Sequence, residues 1–321
     1  MRVAHLLPLV LLVGCGGPPP PDVDLPAPAR GFQLATGRFF VDSGTETQRC
    51  FFFTIPGSGN TPVFVNRVAL AQNSGSHHLN VFRVGTVKAL DGRHGDVVVD
   101  GECFKSGNWA DWPLIINSQD SNPGRNVVDW TLPDGVAHKF MPGEKIMVQS
   151  HYVNASTQKT PAAALALINF HVVEQAAVKA ELGTVFATNQ QIRACPGDRD
   201  RMFETTCRFA KEPVTIIGAN GHFHSRGSKF EIASYDSVKH EAGATFYTST
   251  SWDEPPFLRD LKISVPNQGG ILWRCYFTVP ANACCDKADS CCCNFVGKVE
   301  TQEHCNAFVY YYPKSDHVNC F

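Results

Sequence analysis

Nowhere in the 321 residues is there an apolar pattern of helical period running for three turns, so helical bundles and alternately wound α/β folds have no elements to build on. No Gly-rich phosphate loop, no Gly-x-Ser-x-Gly elbow and no His-Glu-x-x-His helix occurs, which leaves nucleotide cofactors and serine hydrolysis without support. Long basic runs are missing too, and with a net charge of −2 there is no electrostatic reason to expect nucleic acid as a partner. No strict internal repeat is present either.

What is present begins with an export signal. Met1 and Arg2 precede an apolar run from Val3 to Val13 that is too short to span a bilayer as a helix. Its ending, Leu12-Val13-Gly14-Cys15, resembles the bacterial lipobox, whose cysteine is acylated and becomes the new N-terminus. Residues 1–15 are therefore expected to be a lipoprotein signal with lipid on Cys15, and Gly16 after it favours the outer membrane or cell surface. Four consecutive prolines, Pro18 to Pro21, with Pro26 and Pro28 beyond, make 16–31 an extended tether between membrane and folded body. The remaining body suits two domains.

Short segments rich in β-branched and aromatic residues recur along that body: Phe51 to Ile55, Thr61 to Leu70, Leu79 to Val84, Lys145 to Val153 and Ala164 to Val173. The second half repeats the texture at Val214 to Ile217, Lys229 to Tyr235, Ala244 to Thr250, Gly270 to Val279 and Ala307 to Tyr312. Turn signals such as Pro56-Gly57, Pro133-Asp134-Gly135 and Pro142-Gly143 punctuate them. The expectation is an all-β chain of two tandem antiparallel β-sandwiches, jelly-roll-like, over 32–174 and 175–321, with Val172 to Leu182 as the link.

Six histidines fall into short clusters: His77 and His78, then His151, then His222 and His224, then His304. On a strand, residues i and i+2 share a face, so His222 and His224 can chelate one ion. His77 and His78 are adjacent and can reach one metal only at a bend or strand end. Gln149 shares a strand face with His151 and is a candidate partner to orient an imidazole.

The order His-His, then Gln-x-His-Tyr, then His-x-His-x-x-Gly, then Glu-x-Cys-Asn ahead of an aromatic strand resembles the copper type II, ascorbate-dependent monooxygenases. That family includes dopamine β-monooxygenase and the peptidylglycine α-hydroxylating monooxygenases, and the likeness runs from about Thr45 to Tyr312. It implies two copper ions per chain, one on each sandwich. His77, His78 and His151 would hold the electron-transfer copper. His222 and His224 would hold the oxygen-activating copper, with Gly227 in the family's glycine place and Asn306 beside the third ligand. That third ligand is a methionine in the family, and His304 stands there in this chain. Thioether favours Cu(I) whereas imidazole serves Cu(II) and zinc as well, so the exchange bears on catalysis. Peptide-amidating relatives carry an Arg where Asn220 stands and a tyrosine where Phe308 stands, which argues against a C-terminal glycine peptide as substrate.

Without Cys15, twelve cysteines remain, an even number suited to disulfides in an oxidising compartment. The resemblance implies a Cys275–Cys305 bridge. Spacing and domain grounds suggest Cys195 with Cys207 and Cys50 with Cys103. The run from Cys284 to Cys293 departs from the family; its five thiols could form a soft metal cage or a disulfide-knotted loop, with Cys320 taking the odd member.

Taken together, the chain reads as a membrane-anchored copper monooxygenase that hydroxylates a C–H bond of a small molecule with O2 and ascorbate or another one-electron donor. The alternative is a copper-binding surface lipoprotein for storage, delivery or sensing, without turnover.

Overall fold

A computed structural model describes residues 23–73, 76–84, 97–99, 112–118, 127–155, 160–295, 302–315 and 320. Cys15 with its lipobox, and Cys103, lie outside the described residues. The fold is all-β, as the spacing of the β-rich segments leads one to expect.

The first sandwich sets a six-stranded sheet against a five-stranded one. In the six-stranded sheet β1 (Gly31–Ala35), β12 (Ala166–Val173), β4 (Val63–Gln72), β9 (Val136–Phe140) and β13 (Ala180–Glu181) lie in that order, and β8 (Val127–Thr131) also pairs with β4. The five-stranded sheet runs β6 (Val97–Val99), β3 (Thr45–Thr54), β10 (Lys145–Asn154), β5 (Ser76–Val84) and β7 (Leu114–Asn117). A small ladder joins β2 (Phe39–Val41) and β11 (Ala162–Ala164). β10 is central and carries an almost continuous buried run, Ile146 to Ser150, as a strand covered on both faces requires. Its neighbour β3 answers with Cys50 to Phe53, all buried. Phe52 meets Trp112 edge-on at 6.3 Å, and Phe140 meets Phe170 edge-on at 6.1 Å. Each such ring, fully buried, contributes about 1.5–3 kcal/mol.

The second sandwich has two four-stranded sheets. One runs β14 (Gly183–Thr188), β23 (Asn306–Tyr312), β17 (Val214–His222) and β20 (Ile263–Val265); the other β16 (Arg201–Arg208), β21 (Gly270–Phe277), β18 (Gly227–Asp236) and β19 (Glu241–Ser249). A short ladder pairs β15 (Arg193–Ala194) with β22 (Cys293–Asn294). Its core centres on Trp273, Phe230, Phe277, Tyr247 and Tyr311.

Two boundaries differ from the sequence expectation. Leu25 and Pro26, placed in the tether, are already docked: their carbonyls accept hydrogen bonds from Gln33 Nε2 and Asn169 Nδ2, each at 2.7 Å. The link beyond Val173 makes a single 3-10 turn, Gln175–Ala177, and then adds β13 in parallel to β9, so the first sheet extends past the expected start of the second sandwich at 175. The sandwiches then share an apolar seam. Trp130 packs edge-on against Phe257 at 5.2 Å and Tyr310 at 5.1 Å, and Ile217, Phe186 and Phe308 join the same cluster.

Cysteine pairing follows the ladders. Cys275 bonds Cys305, with Cα atoms 5.9 Å apart. Cys195 does not pair with Cys207: β15 lies on β22, which brings Cys195 to Cys292, while Cys207 bonds Cys320 beside β14. Cys320 therefore does not serve the Cys284 to Cys293 cluster, whose other members pair as Cys284–Cys291 and Cys285–Cys293. The cluster is a disulfide knot and offers no thiolate cage. Cys50 is disulfide-bonded.

Candidate metal centre

β17 and β23 pair antiparallel with His222 opposite Asn306. That single register decides the site, because it sets the C-terminal end of β17 beside the segment just ahead of β23. His222 closes β17, His224 lies two residues on, and His304 stands two residues before Asn306. Phe223 and Gly227 hold the turn between them. Gly227 N donates to His224 O at 2.9 Å, and a Cβ on Gly227 would collide with the Phe223 ring, so glycine is needed there.

The three imidazoles offer ligand nitrogens that all lie within 4.8 Å of one another. Ring centroids are 4.3 Å apart for His224 and His304, 5.2 Å for His222 and His224, and 5.6 Å for His222 and His304. His224 and His304 are buried and His222 partly so. Burial, then the neighbouring imidazoles, hold His304 well below the ordinary imidazole pKa, and burial with His224 beside it pushes His222 down to about 3. Neutral rings at physiological pH have lone pairs to give a metal.

Backbone and amide groups orient these rings. His224 Nδ1 donates to the carbonyl of Gln302 at 2.9 Å, which leaves its Nε2 as the ligand atom. Asn306 Nδ2 lies 3.5 Å from His304 Nδ1. The Phe295 ring covers His304 at 5.1 Å. Glu303, with no exposed surface, accepts from His224 N at 3.1 Å and Arg226 N at 2.9 Å, and so ties the His224 turn to the His304 segment. Burial raises its carboxyl to about 7, against those backbone bonds. The Cys275–Cys305 bridge fixes the residue after His304 to β21 of the opposite sheet, and Trp273 Nε1 donates to Cys305 O at 3.2 Å.

On the first sandwich, β10 sets His151 directly opposite His78 of β5. The next pair is Tyr152 with Ser76, so the ladder slips at His77, and a bulge of this kind is how a strand re-aims a residue. The side chain of His77 lies outside the described residues. His151 Nδ1 and His78 Nε2 are 3.3 Å apart, and His151 Nε2 meets Glu46 Oε2 at 2.9 Å. Gln149 acts one residue further off than its strand face suggests: its Oε1 accepts from Asn80 Nδ2 at 2.9 Å, and Asn80 in turn lies 3.3 Å from His78 Nδ1.

Glu46, Asn80, Gln302, Glu303 and Phe295 are neighbours that the motifs alone do not assign. Asn80 and Glu46 are legible in principle, since both sit on strands that flank His151. Gln302 acts through its backbone, and side-chain identity carries no signal for that. Asn220 is committed to structure: its Nδ2 donates to the carbonyls of Pro255 and Pro256 at 3.2 and 3.0 Å, and its Oδ1 accepts from Asn117 at 3.2 Å.

No protein-family model matches this chain, and no curated protein matches it. Among solved structures it is similar to PNGF-II, at 9% identity and a TM-score of 0.29, over 84% of this chain and 60% of that one, so it spans under two thirds of PNGF-II. It is similar also to the tandem CBM22-1–CBM22-2 domains of Paenibacillus barcinonensis Xyn10C, at 9% identity, TM-score 0.23, over 90% and 83% of the two chains. The structure of broad bean stain virus aligns at 9% identity, TM-score 0.25, over 88% and 79%.

Proposed function

We propose that this protein is an exported copper-dependent monooxygenase that hydroxylates a C–H bond of a small molecule with O2 and an external one-electron donor. The observation that carries the reading is the meeting of His222, His224 and His304 from segments far apart in the chain, with ligand nitrogens within 4.8 Å. The donor set fits: three neutral imidazoles, one with its tautomer fixed by Gln302, suit copper. His78, His151 and His77 would hold a second ion on the first sandwich. When bound, copper would supply the one-electron steps that oxygen insertion needs.

The residues of the chain have simpler tasks. His222, His224 and His304 bind. Gln302 and Asn306 orient two of those rings, and Glu303 keeps the His224 turn and the His304 segment together. Phe295 shields His304 from water on one side. Asn80 and Gln149 align His78. Five disulfides among the described residues suit an oxidising compartment, and Cys15 would supply the lipid anchor.

One observation favours a second reading, copper binding without turnover. A third imidazole in place of thioether supports the oxidised metal better than the reduced one that meets oxygen. The two readings separate in one experiment on protein exported to the periplasm, in which copper content, O2 consumption and product from a panel of small amines are measured together. Copper with O2 consumption coupled to hydroxylated product upholds the monooxygenase. Stoichiometric copper with no consumption upholds the binding protein, and absence of copper sinks both.

A further inference from the structure

Away from the histidine centre, a cavity of about 190 Å³ opens where the two sandwiches meet. Arg83 of β5 and His138 of β9 line it from the first sandwich; Thr184 of β14, Tyr311 of β23, Lys314 and Ser315 line it from the second. Both cations are anchored from behind. Arg83 pairs with Glu144 at 2.7 Å and lies over the Phe140 ring, while Lys314 Nζ pairs with Glu181 at 2.6 Å. Neither glutamate lines the cavity, so its polar wall shows guanidinium, ammonium and hydroxyl groups, beside an apolar wall of Pro113, Leu114, Ile115 and Leu182.

His138 sits among them with 5% of its surface exposed, stacked on Phe140 at 5.6 Å, and its Nε2 has no hydrogen-bond partner. Burial first, then the charges of Arg83 and Lys314, push this imidazole down to about 3. The ring is thus neutral and adds no charge to the cavity wall.

We propose that this junction cavity binds a small oxyanion, carboxylate or phosphate, held by the Arg83 guanidinium and the Lys314 ammonium on its walls. The hydroxyls of Thr184 and Ser315 complete the lining. Because its walls come from both sandwiches, the anion bridges them.

Calorimetric titration of the full chain with sodium phosphate, and separately with sodium acetate, tests this at an ionic strength held constant with sodium chloride. One-to-one binding of phosphate or acetate is expected; phosphate alone identifies a tetrahedral anion, acetate alone a carboxylate. Lys314→Gln, which alters a partly exposed side chain, should weaken the bound anion about tenfold. No heat from either anion beyond that of chloride overturns the proposal. So does a Lys314→Gln protein that binds as tightly as the unaltered chain.

Discussion

His224 Nδ1 donates a hydrogen bond to the carbonyl oxygen of Gln302 at 2.9 Å, two residues ahead of His304. The bond joins the two segments that meet at the candidate centre and leaves Nε2 of His224 turned to the ligand role. Glu303 reinforces the same link through two backbone N–H groups. The triad is thus held by contacts between its own segments as well as by the strands behind them.

Removal of His304 should therefore cost the centre its metal without unfolding the sandwich. His304→Ala is expected to bind one copper fewer than the unaltered chain by metal analysis after dialysis. His304→Met should bring sulfur into the coordination of Cu(I), visible by X-ray absorption. If the His304→Met protein shows neither a sulfur signal nor altered turnover on a test amine, His304 is not a ligand.

The Cys275–Cys305 bridge closes a segment with a sequence separation of 30 and anchors the residue next to His304. The double substitution Cys275→Ser with Cys305→Ser should lower unfolding stability by about 3.6 kcal/mol on the loop-entropy account. It should also weaken copper at the second-sandwich site, read by competition with a chelator, while the first site is untouched.

Gln149 reaches His78 through Asn80. Its replacement by Ala should weaken metal at the His78 and His151 site by about ten- to a hundredfold, in the range for lost outer partners of ligands. Chelator competition that shows equal affinity in the variant would remove Gln149 from that role.

Buried His138 gives a pH signature. Its folded pKa, about 3, is below the unfolded imidazole value of 6.5, so the unfolded chain takes up the proton first. The stability that a neutral His138 confers is whole above pH 6.5 and is lost as pH falls from there towards about 3. His222, also lowered to about 3, acts in the same sense, whereas Glu303, raised to about 7, opposes. Comparison with His138→Gln isolates the one group: the variant's thermal midpoint should fall less between pH 7 and pH 5. Parallel slopes for the two proteins would show that His138 is not buried neutral.

Much of this molecule is legible without coordinates. The all-β class follows from short β-branched segments between Gly and Pro turns, because strand alternation and turn chemistry are local properties of the chain. Lys145 to Val153 and Ala307 to Tyr312 match β10 and β23 almost to the residue, since both are apolar enough to be central. β16, Arg201–Arg208, leaves little trace in the sequence because only Cys207 in it is buried, and a strand that covers little core has little pattern. The partner of Cys195 is hidden for a different reason: pairing depends on which strands lie side by side, and β15 against β22 is a contact between residues about a hundred apart.

What the sequence determined alone is the chemistry available: imidazoles in short clusters, an even set of cysteines beyond Cys15, and strands to carry them. Only the tertiary structure decided which of these meet. The register of β17 on β23 put His222 opposite Asn306 and so brought His304 to the pair. The slip at His77 lies inside the β5–β10 ladder, and the cavity of Arg83, His138 and Lys314 opens where the two sandwiches meet. Ladder registers and sheet junctions are set by packing over the whole chain, and no local run of residues encodes them.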